Sequence, residues 1–234
     1  MFDQLQQWEL DRCGKFTASE IHKLLVKGKG GDYFGQGATT YIRLKAAEIL
    51  TMEPNNGGRI NGYALEWGNS HEYEAVARFE NETALKVNYF GGGNPKFFEY
   101  SPLSGGSPDG MIKDTAIIEV KCPYNSAEHL EHLFIADAEG LKGYYPECYW
   151  QMIFNMICTG TKGGYFISYD PRFAVDAMQI KIVPVPLRED DAELIKERLG
   201  EAEKQLKVLL QLVNENQSII LAEYDKDLQA TIIQ

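Results

Sequence analysis

The segment from Ser107 to Pro123, SPDGMIKDTAIIEVKCP, constrains this chain more than any other, because it puts three charged side chains where an ordinary hairpin has no use for them. Ser-Pro-Asp-Gly is a turn-forming run, and the β-branched stretch from Ala116 to Cys122 predicts a strand. Side chains alternate across a strand, so Glu119 and Lys121 share one face while Ile118, Val120 and Cys122 share the other. The apolar face can enter a core. The charged face must meet a compensating group, since burying a bare carboxylate or ammonium is costly. Taken alone, the triplet also fits a solvated cross-strand pair.

With Pro108 and Asp109 in the turn just upstream, the run resembles the PD-(D/E)xK nuclease pattern. Its residue types suit that chemistry. Carboxylate oxygens are hard ligands for Mg²⁺, a bound cation can activate water and offset charge on a phosphate, and a neighbouring lysine can orient or deprotonate that water.

A second acid lies on the segment from Ala64 to Glu82, which has helical periodicity. Leu65, Gly68, Ala75, Val76 and Phe79 recur at three- and four-residue steps, with Glu72 on the same face. Glu72 needs a partner there, either the cation bound by Asp109 and Glu119 or a core arginine. Glu74 and Arg78 are expected to form an exposed i,i+4 pair, and His71 to make a hydrogen bond within the helix. Near the amino terminus, Thr17 with Glu20 has the form of a capping box, predicting a helix through Ile21, Leu24 and Leu25. Its start would offer free N–H groups beside Ser19 and Arg12, which suits a phosphate; by themselves Ser19 also reads as a first-turn residue and Arg12 as a surface charge.

The rest predicts a glycine-rich loop over 27–37 that is no Walker sequence, a helix over 39–50, a strand over 85–100 broken at Gly91 to Gly93, and a helix and loop over 125–146. A strongly apolar helix follows over 147–159, with Gln151 its one notable interior polar residue. Two further strands are expected over 163–169 and 179–185, then an amphipathic helix over 189–214. Length and composition suit one domain over 1–234, with 218–234 unassigned; 44% of residues are hydrophobic and 24% charged. No apolar run nears the ~20 residues of a membrane span, and the amino terminus lacks signal-peptide character, so a cytoplasmic location is expected. The four cysteines form no C-x-x-C pair, which argues against zinc, iron–sulfur or a disulfide framework.

A net charge of −11 excludes a broad basic surface as the means of gripping nucleic acid. It leaves room for a local basic site or an enclosing ring. Acidic runs such as 188–191 and 201–203 are expected to be solvated faces.

From about Trp8 to about Val213 the chain resembles bacteriophage lambda exonuclease and the related YqaJ-like phage recombinases. The matching stretches are R-x-G-x-x-T-A-S-E at Arg12 to Glu20, A-L-x-W-G at Ala64 to Gly68, Glu72 with Phe79-Glu80, S-P-D-G at Ser107, E-x-K-C-P at Glu119, and Y-F-x-x-Y-D-P-R at Tyr165 to Arg172. The resemblance implies an α/β fold with a restriction-endonuclease-like core, a central mixed sheet flanked by helices. It implies metal binding by Asp109, Glu119, Glu72 and the Val120 carbonyl, with Lys121 the catalytic lysine. It also implies a 5′-phosphate pocket of Arg12, Ser19 and Ser107, with Gln151 near the family's glutamine-bearing helix and Ile153 where a second glutamine is often found. Leu65 would be the wedge that parts the strands. The implied activity is Mg²⁺-dependent 5′→3′ digestion of one strand from double-stranded DNA ends, with Mn²⁺ able to substitute. A trimeric ring and a single-strand annealing protein are the implied partners. An endonuclease on the same fold and a catalytically silent DNA-binding subunit are the alternatives.

Overall fold

The computed structural model describes residues 3–54, 62–91 and 93–232, the side chains of residues 65 and 217–232 excepted. In chain order the elements are α1 (Gln4–Arg12), β1 (Phe16–Thr17), α2 (His22–Leu25), α3 (Gln36–Thr51), α4 (Tyr63–Thr83), β2 (Asn88–Tyr89), β3 (Phe98–Ser101), β4 (Ser104–Gly106), β5 (Gly110–Ile112) and β6 (Ala116–Lys121). Then come α5 (Ser126–Leu133), α6 (Ala138–Tyr144), α7 (Pro146–Thr159), β7 (Gly163–Tyr169), β8 (Ile180–Pro186) and α8 (Glu189–Ile232). Among the described residues no helix is long and apolar enough to cross a membrane.

Five strands form the main sheet in the order β2-β5-β6-β7-β8, and three form a small one, β1-β4-β3. The main sheet is mixed: β6 runs parallel to β7, Ala116 opposite Gly163 through Lys121 opposite Ser168, while β5 with β6 and β7 with β8 are antiparallel. A parallel pair needs a long crossover, and α5, α6 and α7 supply it.

Both faces of β6 are covered. Ile118 and Val120 pack with Ala75, Val76 and Phe79 of α4 and with Ile167 and Tyr169 of β7. Ile117 enters the larger core on the opposite side, with Met152, Ile153 and Phe154 of α7 and Phe166 of β7. Fully burying each such side chain contributes roughly 1.5–3 kcal/mol, so β6 is firmly held on both faces. It is also the strand that carries Glu119 and Lys121.

Several local expectations are corrected. Thr17 does not cap a helix: it ends β1, a 3₁₀ turn over Ala18–Glu20 follows, and no side-chain cap forms. Its N–H donates to the Tyr41 hydroxyl at 2.9 Å, so a partner 24 residues away takes over from local capping. The capping box that does form is one helix earlier, Asp3 with Gln6. The expected strand over 85–100 is two strands in different sheets, β2 and β3. Arg78 pairs with Glu82 and Asp176 rather than Glu74. The acidic runs are not simply solvated either. Asp191 is buried, accepting from Tyr149 Oη at 2.6 Å and Lys142 Nζ at 2.7 Å, and Glu203 accepts from Ser101 and Ser104. The backbone of α8 continues through most of the unassigned tail.

Candidate active site

The turn before β5 places Asp109, and the hairpin register brings it beside β6. Its N–H donates to the Ile118 carbonyl at 3.2 Å, and its Oδ2 accepts the Val120 N–H at 2.6 Å. Glu119 on β6 is only 1% exposed, which excludes the solvated cross-strand pair. Its Oε1 accepts from Lys121 Nζ at 2.7 Å and from Gln151 Nε2 at 2.6 Å, while Oε2 accepts from Asn155 Nδ2 at 3.4 Å. Glu72 is half-buried on α4 and hydrogen-bonds the Tyr89 hydroxyl rather than an arginine.

These groups feel one another. Burial, then the negative charges of Glu119 and Glu72, push the Asp109 carboxyl well above the usual range. Burial also raises Glu72; the Tyr89 hydrogen bond opposes that, and the charge of Glu119 adds to it. Burial works to lower Lys121, but the Glu119 carboxylate beside it and Asp109 hold the ammonium well above its ordinary value. Lys121 therefore keeps its proton in the resting protein. Cys122 beside it is pushed up to about 12, first by burial and then by the charges of Glu72 and Asp109, so its thiol is inert.

A divalent cation fits the charge of this site: three mutually repelling carboxylates face one lysine, an excess of negative charge that a hard cation on oxygen ligands would offset. Asp109, Glu119 and Glu72 would hold it. The side chains are turned to protein donors, however, and among the described residues no three His, Cys, Asp or Glu groups stand together at ligating spacing. Val120 is engaged through its N–H.

The second cluster lies on β1, the following 3₁₀ turn, α1 and the S-P-D-G run. Arg12 Nη2 reaches Ser19 Oγ at 3.5 Å, and the guanidinium lies 4.1 Å over the Trp8 ring. The Trp8 indole N–H donates to Ser107 Oγ at 2.9 Å. Trp8 thus joins three residues that the sequence pattern put together, and only its place four residues before Arg12, one helical turn, hinted at this. Arg12, Ser19, Lys23, Tyr41, Lys45 and Glu48 line a cavity of about 470 Å³. Glu48 is buried and accepts from Lys45 Nζ at 2.9 Å and the Gly14 N–H at 2.8 Å. Gly14 has a φ of 72°, and a Cβ there would sit 2.5 Å from Ile49 Cγ1, so glycine is required on both counts.

Gln151 donates to Glu119 Oε1, and Ile153 is a core residue. Asn155 is a second interior polar residue of α7, one turn after Gln151 and fully buried. It escaped the sequence reading because the surrounding apolar run masked it. The backbone of Leu65 lies in the first turn of α4; its side chain falls outside the described residues, and so does part of the loop over 53–61.

Comparisons with known proteins agree with this geometry. Residues 7–162 match the YqaJ-like viral recombinase domain. The crystal structure of an alkaline exonuclease (LHK-Exo) from Laribacter hongkongensis is similar, with a TM-score of 0.75 and 25% identity over 92% of this chain and 99% of that one. LHK-Exo in complex with dAMP gives 0.74 and 26% over the same shares. A phage related exonuclease from Haemophilus somnus 129PT gives 0.65 and 17%, over 86% of this chain and 96% of that one, a likeness of fold alone. No curated protein matches. With two thirds of its length inside the domain and a restriction-endonuclease-like α/β core around its three acids and lysine, the chain belongs to the YqaJ-like viral recombinase family.

Proposed function

We propose that this protein is a Mg²⁺-dependent 5′→3′ exonuclease that digests one strand of double-stranded DNA from its ends, releasing mononucleotides and leaving a 3′ single strand for recombination. One observation carries the reading: Glu72, Asp109 and Glu119 share a single electrostatic field, with Lys121 seated on Glu119 at 2.7 Å. When bound, the cation would activate water and neutralise charge at the scissile phosphate. Lys121 orients that water and stabilises the negative charge that develops on the phosphoryl oxygens. Gln151 and Asn155 keep the buried Glu119 carboxylate in place.

The Arg12, Ser19 and Ser107 group supplies register. Ser107 lies two residues before Asp109, so a terminal 5′-phosphate held there sets which phosphodiester reaches the acids. Leu65 is proposed as the wedge that parts the strands. The likeness to two structures of the alkaline exonuclease LHK-Exo, at 25% and 26% identity, supports an exonuclease. A homotrimeric ring would reconcile firm engagement of DNA with a net charge of −11, because release then requires leaving the ring. A single-strand annealing protein is the partner that would take the product, and the work would be done in a cytoplasm.

The test sets linear duplexes with 5′-phosphate or 5′-hydroxyl ends beside closed circles, with Mg²⁺ or EDTA. The reading expects mononucleotides from linear DNA, faster from phosphorylated ends, and nothing with EDTA. Cutting of closed circles would make the protein an endonuclease, and binding without cleavage would make it a silent subunit.

A further inference from the structure

We propose that Arg172, in the turn after β7, is a positioning residue for the acid centre, acting through Trp67 and His71 to fix where Glu72 stands. The inference rests on the metal-nuclease reading above.

Asp170 is fully buried. Burial works to raise its carboxyl, but Arg172 holds it below the ordinary range, donating from Nε to Oδ1 and from Nη2 to Oδ2, each at 2.8 Å. This two-pronged pairing fixes the guanidinium plane. Nη2 also donates to the Pro123 carbonyl at 3.1 Å, two residues beyond Lys121. The guanidinium carbon lies 4.2 Å from the centre of the Trp67 ring. His71 stacks on that ring at 3.8 Å, and two groups this close to one ring cannot share a face. Trp67 is therefore held between Arg172 and His71. His71 Nδ1 lies 2.9 Å from the Trp67 carbonyl and 3.1 Å from Ser70 Oγ, which ties the ring to its own helix. The turn is braced in its own right, with Gln179 Nε2 donating to the carbonyls of Pro171 and Phe173.

The consequence is geometric. Arg172 ties together the ends of β6 and β7 and the first turns of α4, and the stack stops at His71, the residue next to Glu72. The body of α4 is held by Ala75, Val76 and Phe79, all beyond Glu72 in sequence. Before Glu72, the Trp67 bracket sets how closely the helix approaches the sheet. Lysine at 172 would keep the charge but lose the planar face and the paired bonds.

The test measures Ca²⁺ binding alone by titration calorimetry on wild type, R172K, W67A and W67F, at a temperature where circular dichroism shows all four folded. The expected result is wild-type uptake of Ca²⁺, with binding about 10- to 100-fold weaker in R172K and W67A. W67F, which keeps an aromatic face under the guanidinium, stays near wild type. Equal Ca²⁺ affinity in wild type, R172K and W67A would overturn the positioning role even if their melting temperatures fell. W67F loosening as far as W67A would overturn the stacking route. Absence of uptake by wild type would overturn the metal-nuclease reading, and this inference with it.

Discussion

Replacing Lys45 by methionine tests how the terminal-phosphate cluster is kept available. Lys45 and Glu48 form a 2.9 Å ion pair with side chains 9% and 5% exposed, and Glu48 also accepts from Gly14, two residues after Arg12. Methionine keeps most of the apolar stem but leaves the carboxylate without its ammonium. Removing one partner of a buried pair costs about 3–5 kcal/mol, against a total of about 5–15 kcal/mol for a domain, and should lower the melting temperature by about 6–20 °C. The double variant K45M/E48L removes the carboxylate together with its ammonium, and the Gly14 N–H loses its acceptor, a loss of about 1–3 kcal/mol. It should therefore be more stable than K45M alone. Arg12 is a cation that Glu48 would then draw toward itself, because the two line the same cavity and the charge of Glu48 bears on the guanidinium. K45M should therefore also lose its preference for 5′-phosphorylated ends. Urea denaturation of the single and double variants, with cleavage of both end types, gives the answer. A K45M variant within about 1 kcal/mol of wild type, or a double variant as unstable as the single, would refute the reasoning.

Lys121→Ala should abolish cleavage while leaving DNA binding intact; gel shift and nucleotide release read the two separately, and unchanged turnover would remove the lysine from the mechanism. Arg12→Ala should slow phosphorylated ends and spare hydroxyl ends, whereas equal slowing of both would assign Arg12 to the fold. The raised carboxyls predict a pH effect. Asp109 and Glu72 lie above their unfolded values, so the stability they contribute is complete below about pH 4 and is lost as pH rises through their folded values. A cation that binds the ionised acids should therefore raise the melting temperature more above their folded values than below them. A shift that does not grow as pH rises would contradict the charge argument.

Much of this was legible in the sequence because the elements that carry the acids obey local rules. The alternation at Ala116 to Lys121 gave β6, the three- and four-residue steps after Gly68 gave the buried face of α4, and the Pro146 and Gly160 boundaries suit α7. What stayed hidden depends on distant partners. The Thr17 turn is set by Tyr41, the Trp8 bridge by Ser107, and the burial of Asp191 by Tyr149 and Lys142. Asn155 shows the same limit: among apolar neighbours a single amide carries no pattern, and only the buried Glu119 explains it. The place of Gln151 on α7 was readable, but its hydrogen bond to Glu119 was not, because nothing local shows which strand the helix faces.

The most direct measurement is a crystal structure of the protein soaked in Mn²⁺, with anomalous scattering used to locate the ion. The account predicts a peak bounded by carboxylate oxygens of Asp109, Glu119 and Glu72, with Lys121 beside it. A peak elsewhere, or Glu119 still bound to Lys121 and Gln151 with no ion at saturating Mn²⁺, would contradict it.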